Sequence, residues 1–220
     1  MFAVMGFSLS WLAVKGKSPK AVRDALGFRA TGKREEIPES DLSAAELPGG
    51  WYLIVSNRSE QVVPNSAMQR LSGSEVVTCF VEEHVMFSNA AGWQDGRKCW
   101  SITHDSQRGI RHLEAEGNLP PVFESIRDRL LSKQNEEEVR KPRRLLQPRV
   151  TDISEMACDY VFDVPVATAH SLTGYRHDQE MPALTGQPFE VLVSSEIEKS
   201  APGHKLSFWK RLLAVLASRK

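Results

Sequence analysis

The stretch Glu75–Glu116, EVVTCFVEEHVMFSNAAGWQDGRKCWSITHDSQRGIRHLEAE, decides the fold. Four runs of strand-forming residues follow one another in it, Val76–Val81, Val85–Ser88, Lys98–Thr103 and Ile110–Glu116, with no segment of helical period between them. Glu82-Glu83-His84 and Asp105–Gly109 are short enough to close hairpins. The link Asn89–Arg97 carries Gly92 and an Asp95-Gly96 pair, a dipeptide suited to the positive φ of a tight turn. An antiparallel meander is expected here, with helices from either flank packed against it.

Alternation sorts the side chains of this meander. Trp100 and Ile102 point one way while Cys99, Ser101 and Thr103 point the other, and Ile110, His112 and Glu114 oppose Arg111, Leu113 and Ala115. Each strand therefore has a face at least half polar, and one side of the sheet is expected to meet solvent, a ligand or a partner.

Upstream, Phe7–Val14 reads as a buried strand. Ser18 as N-cap, Pro19 in the first helical position, the stripe Val22, Ala25 and Leu26, and Gly27 at the end spell a short helix. Gly16-Lys17-Ser18 matches the end of a phosphate-binding loop. However, Trp11 stands where that motif needs its earlier glycine, so the triplet reads as a turn and a cap. Arg29–Pro48 reads as a polar surface excursion, Trp51–Val55 as a buried strand, Val62-Val63 as a short return strand and Pro64–Leu71 as helical turns ended by Gly73.

Downstream, Leu119, Val122, Phe123, Ile126, Leu130 and Leu131 recur at helical spacing and predict a helix over 120–135 that covers the sheet. Residues 136–150 form a charged connector. In the next segment Asp163 is placed to cap a helix marked by Val166, Ala169 and Leu172 and ended by Gly174, and Phe189–Val193 reads as an edge strand. The tail 206–220 is amphipathic, with Trp209, Leu212, Leu213 and Leu216 in a stripe among Lys205, Lys210, Arg211, Arg219 and Lys220. The expected organisation is an α+β core over 1–135, the connector, a helix and loop extension over 151–205 packing on the core, and the tail. The expected class is a two-layer, mostly antiparallel sheet with its helices on one face.

At GWYLIVSN (50–57), WSITHD (100–105) and FDVPVATAHSLTGYRHD (162–178) the chain resembles a family of uncharacterised bacterial proteins, over most of its length up to Asp178. These are not motifs of known chemistry, and the resemblance implies no activity, cofactor or partner.

Composition narrows the function classes. Lys plus Arg and Asp plus Glu are balanced at 28 each, so no global field favours nucleic acid or an anionic membrane. Three cysteines, none in a CxxC, fit a reducing compartment, and the apolar N-terminus is too short and too interrupted to span a bilayer. The expected location is cytoplasmic.

Three sets of side chains are candidates for function. His104, Asp105 and His112 would meet across the Asp105–Gly109 hairpin, and two imidazoles with a carboxylate are the minimum of a metal site and of a metal-dependent hydrolase. Trp93, beside Gly92, Asp95 and Arg97 in the Asn89–Arg97 link, has the composition of an interaction hot spot. Trp209 heads a tail that would dock on the body or a partner, or hold the chain at a membrane surface. Cys99 has no feature that would activate its thiol, and His177-Asp178 lies in a loop without the further histidines of a metal phosphohydrolase. The leading expectation is a non-catalytic binding protein, accessory, regulatory or toxin-neutralising, that needs no cofactor and acts on a protein partner through the polar sheet face and the Trp93 link.

Overall fold

The computed structural model describes residues 6–58, 62–140 and 158–194. They form an α+β fold on one nine-stranded sheet in the order β2-β9-β3-β4-β1-β5-β6-β7-β8. Its strands are β1 (Ser8–Lys15), β2 (Phe28–Glu35), β3 (Leu42–Leu47), β4 (Trp51–Ser56), β5 (Glu75–Glu82), β6 (Phe87–Gln94), β7 (Arg97–Asp105), β8 (Glu114–Gly117) and β9 (Phe189–Ser194). Every strand pair is antiparallel. The helices are α1 (Pro19–Leu26), α2 (Phe123–Arg140) and α3 (Asp163–Thr173), with 3-10 turns at Asn65–Leu71 and Ser106–Arg108.

Strand β1 lies at the centre of the sheet, which is why it is apolar on both faces. Leu9, Trp11 and Ala13 join Val77, Cys79, Ile102, Phe123, Ile126, Leu130, Val164 and Ala169 in the core under α2 and α3. Leu12 and Val14 join Val22, Leu26, Tyr52, Met68, Leu71 and Trp93 in a second core under α1 and the Asn65–Leu71 turn. Helical elements thus lie on both faces, and the expectation of a single helix-bearing face is revised. The continuous runs of β1 and β4 are buried from both sides, as such runs require.

The meander is present with its second and fourth strands shifted. Asn89–Trp93 continues β6 instead of forming a link, because Asp95 (φ 54°) and Gly96 (φ 76°) alone make the turn between Gln94 and its partner Arg97. Gly92 is required by packing: a Cβ there would lie 2.0 Å from Trp100 Nε1. Ile110–Leu113 belong to the turn that follows Ser106–Arg108, so β8 is only four residues long.

The polar excursion 29–48 holds two strands, β2 and β3, and β9 inserts between them. The segment expected as an edge strand of an extension is therefore internal to the sheet. Val62-Val63 form no strand; Val63 is buried over Met68 and its neighbours. Helix α2 starts at Phe123 and runs on to Arg140, and within it Gln134, fully buried, accepts from the Tyr160 N–H at 2.9 Å. No described helix is long and apolar enough to cross a membrane.

Candidate binding face

On the α2/α3 side of the sheet, His104 is fully buried and has both nitrogens engaged. Nδ1 donates to the His112 carbonyl at 2.7 Å, and Nε2 lies 2.9 Å from Asp159 Oδ2. A carbonyl only accepts, so Nδ1 carries a hydrogen, and the Nε2 contact holds one further proton on the ring or on the carboxyl. The other oxygen of Asp159 accepts from the Val161 and Phe162 N–H groups at 3.1 Å, capping the turn into α3. Ser88, the cross-strand partner of His104, donates to the Phe162 carbonyl at 2.7 Å. Two paired residues of β6 and β7 therefore hold the start of α3.

This geometry takes the expected metal triad apart. His112 Nδ1 accepts from the Asp105 N–H at 2.9 Å, which puts the hydrogen of the neutral ring on Nε2, 3.4 Å from Glu114. Asp105 Oδ1 accepts from the Gln107 N–H and caps the Ser106–Arg108 turn. The ring centres of His104 and His112 are 6.3 Å apart, but neither ring offers a lone pair to a common ion. No group of three or more His, Cys, Asp or Glu side chains able to hold a metal occurs among the described residues. The cap expected of Asp163 is supplied by Asp159, while Asp163 pairs with Arg176 at 3.0 Å.

Arg176 binds both Asp163 and Asp178 and acts electrostatically on two partly buried histidines, His170 and His177. Burial lowers the pKa of His177, against the pull of Asp178 and Glu83, and burial also lowers that of His170. His177, 1% exposed at its side chain, stacks edge-on against Phe7 with ring centres 5.0 Å apart; its Nε2 lies 3.6 Å from Glu83 Oε1, and among the described residues neither nitrogen has a partner within hydrogen-bond distance. On β5, facing the core under α2 and α3, Cys79 is buried and its thiol is pushed up to about 12 by desolvation, the reverse of nucleophile activation. The Cys99 thiol points to the Arg97 carbonyl at 3.6 Å.

The opposite side of β5–β8 is different. The Asn65–Leu71 turn covers its inner part, and beyond that cover lies a depression of about 360 Å³. Its floor and walls include Thr78, Phe87, Asn89, Trp93, Lys98, Ser101, Thr103, Glu114 and Glu116. Strand register builds it: Thr103 stands beside Asn89 on one side and Glu114 on the other, and Ser101 stands beside Ala91 and Glu116. These are the side chains that alternation places on the polar face. Asn89 donates to the Ile102 carbonyl and to Thr103 Oγ1 at 3.2 and 2.7 Å, and Thr78 donates to the Ala91 carbonyl at 3.3 Å. Arg108, 2.5 Å from Glu114, is the main cause holding that carboxyl below its ordinary range, with the His112 ring adding to it.

The Trp93 group is divided between this face and the core. Trp93 lies within β6, 8% exposed, and belongs to the core under the Asn65–Leu71 turn, so it is not a loop-borne anchor. Asp95 Oδ1 accepts from the Gly73 N–H at 3.0 Å and pins the hairpin to that turn, and Arg97 is exposed beside it. Trp209 and the whole tail 206–220 lie outside the described residues, as does most of the connector. Of the residues that build the depression, Ser101, Thr103, Glu114 and Glu116 were legible as a polar row but not as a concavity, because the wall comes from the distant Asn65, and Asn89 was placed in a link instead of a strand. Compared with models of protein families, with curated proteins and with solved structures, the chain matches none.

Proposed function

We propose that this chain is a non-catalytic binding protein of the accessory, regulatory or toxin-neutralising kind, and that its recognition surface for a protein partner is the polar face of β5–β8. One observation carries the reading: α2 and α3 cover one side of these strands, while on the other side the described residues leave a concave row of hydroxyl, amide and carboxylate groups open. A sheet face kept polar and uncovered beside a fully packed one is the arrangement that a docking partner completes. Catalysis is the weaker reading, since His104, Asp105 and His112 each serve a capping or anchoring contact.

Affinity capture from the native organism tests it. The intact chain is expected to retain a specific protein, and the double variant Ser101→Arg/Thr103→Arg to lose it. A control, Arg129→Glu on the exposed side of α2, should retain it, with all chains shown folded by circular dichroism. Equal capture by every variant, or none by the intact chain, would falsify the reading.

A further inference from the structure

The depression is not uniform in charge. Glu114 is neutralised by Arg108, but Lys98 at the hairpin end and Glu116 on the edge strand have no ion-pair partner among the described residues. Register separates their backbone positions. Glu116 stands beside Ser101, three residues along β7 from Lys98, and at ~3.3 Å per residue along a strand and ~5 Å between strands the two lie roughly 10 Å apart. The floor between them is unspent: the NH₂ group of Asn89 is committed to Ile102 and Thr103, which leaves its Oδ1 as the free end, and the Ser101 hydroxyl makes no hydrogen bond among the described residues.

We infer that the depression takes an extended peptide segment of the partner that carries one basic and one acidic side chain on the same face, the basic one against Glu116 and the acidic one against Lys98. This rests on the reading of the β5–β8 face as the recognition surface and names what that surface selects. Residues two apart in an extended segment share a face at ~7 Å, within reach of two long side chains across this span. The backbone amides and carbonyls of such a segment meet Asn89, Ser101 and Thr103. Paired charges of opposite sign do not make the one-signed patch that a polyanion or an anionic surface needs.

The probe is the capped tripeptide Ac-Lys-Ala-Glu-NH₂, titrated into the full chain and followed by amide chemical shifts. Shifts are expected at Ser101, Thr103 and Glu116, and not with the neutral Ac-Gln-Ala-Gln-NH₂. Lys98→Glu and Glu116→Lys should each weaken binding about three- to fivefold, the scale of an exposed ion pair, and added salt should act in the same direction. The double exchange Lys98→Glu/Glu116→Lys should restore affinity, because the peptide can lie the other way round; damage to the fold would not be rescued. Equal shifts with both peptides, or no shifts on this face, would overturn the inference. Partner capture lost in Ser101→Arg/Thr103→Arg but undiminished in Lys98→Glu and in Glu116→Lys would overturn it while leaving the recognition surface intact, and failure of capture by the intact chain would remove both.

Discussion

His177 shows how much a single residue depends on its surroundings. In the sequence it is one half of a histidine-aspartate pair; in the fold its ring is buried against Phe7 and its pKa falls below the ordinary 6.5 through desolvation. The unfolded chain takes up a proton on this ring as pH falls through about 6.5 and the native chain resists it, so stability present above that value drains away below it. Replacing His177 with leucine is expected to flatten the fall in urea midpoint between about pH 7 and about pH 5. Part of the slope should persist, because partly buried His170 is shifted in the same direction. Denaturation curves at several pH values check this, and an unchanged slope would show that the His177 ring titrates alike in the folded and the unfolded chain. Tight local signals were readable at this scale: Ser18 accepts from the Ala21 N–H and Gly27 closes α1 at φ 73°, as their positions predict. The partner of His104 was not readable, since Asp159 is 55 residues away along the chain.

Among the elements, the entry to α3 is the sharpest case. Phe162 at its N-cap has no side-chain bond to give, and the turn is held instead by Asp159, gripped in turn by His104. Asp159→Ala removes two caps and leaves a buried imidazole without its partner, so a loss of about 3 kcal/mol is expected. Asp159→Asn keeps the capping oxygen and offers an N–H to a neutral imidazole, and should cost about 1 kcal/mol or less. Urea midpoints of the two variants decide it; equal losses would mean that the charge, not the hydrogen bonds, holds the turn. The polar composition of 29–48 concealed β2 and β3 for a physical reason. β2 is an edge strand with one exposed side, and its Lys33 and Arg34 fit an edge better than a core.

For the molecule as a whole, β9 is the strand on which the outer sheet depends. Among the described strands it is the one paired with β2 and it also borders β3, although it follows them by more than a hundred residues. Val191→Pro would remove a ladder donor inside the sheet and is expected to cost about 3 kcal/mol or more, with exchange protection lost first in β2. Slow exchange in β2 in that variant would show that β2 is held by something other than β9. The sequence by itself determined the antiparallel meander, the capped helix α1, the polar row along β7 and β8 and the tight turn at Asp95-Gly96, because alternation, capping and turn chemistry act over a few residues. Only the tertiary structure decided that β9 enters the sheet, that Trp93 is core, that His104 and Asp105 are anchors and that the polar row is concave. Each of these depends on which distant segment lies against it, and local patterning carries no record of that.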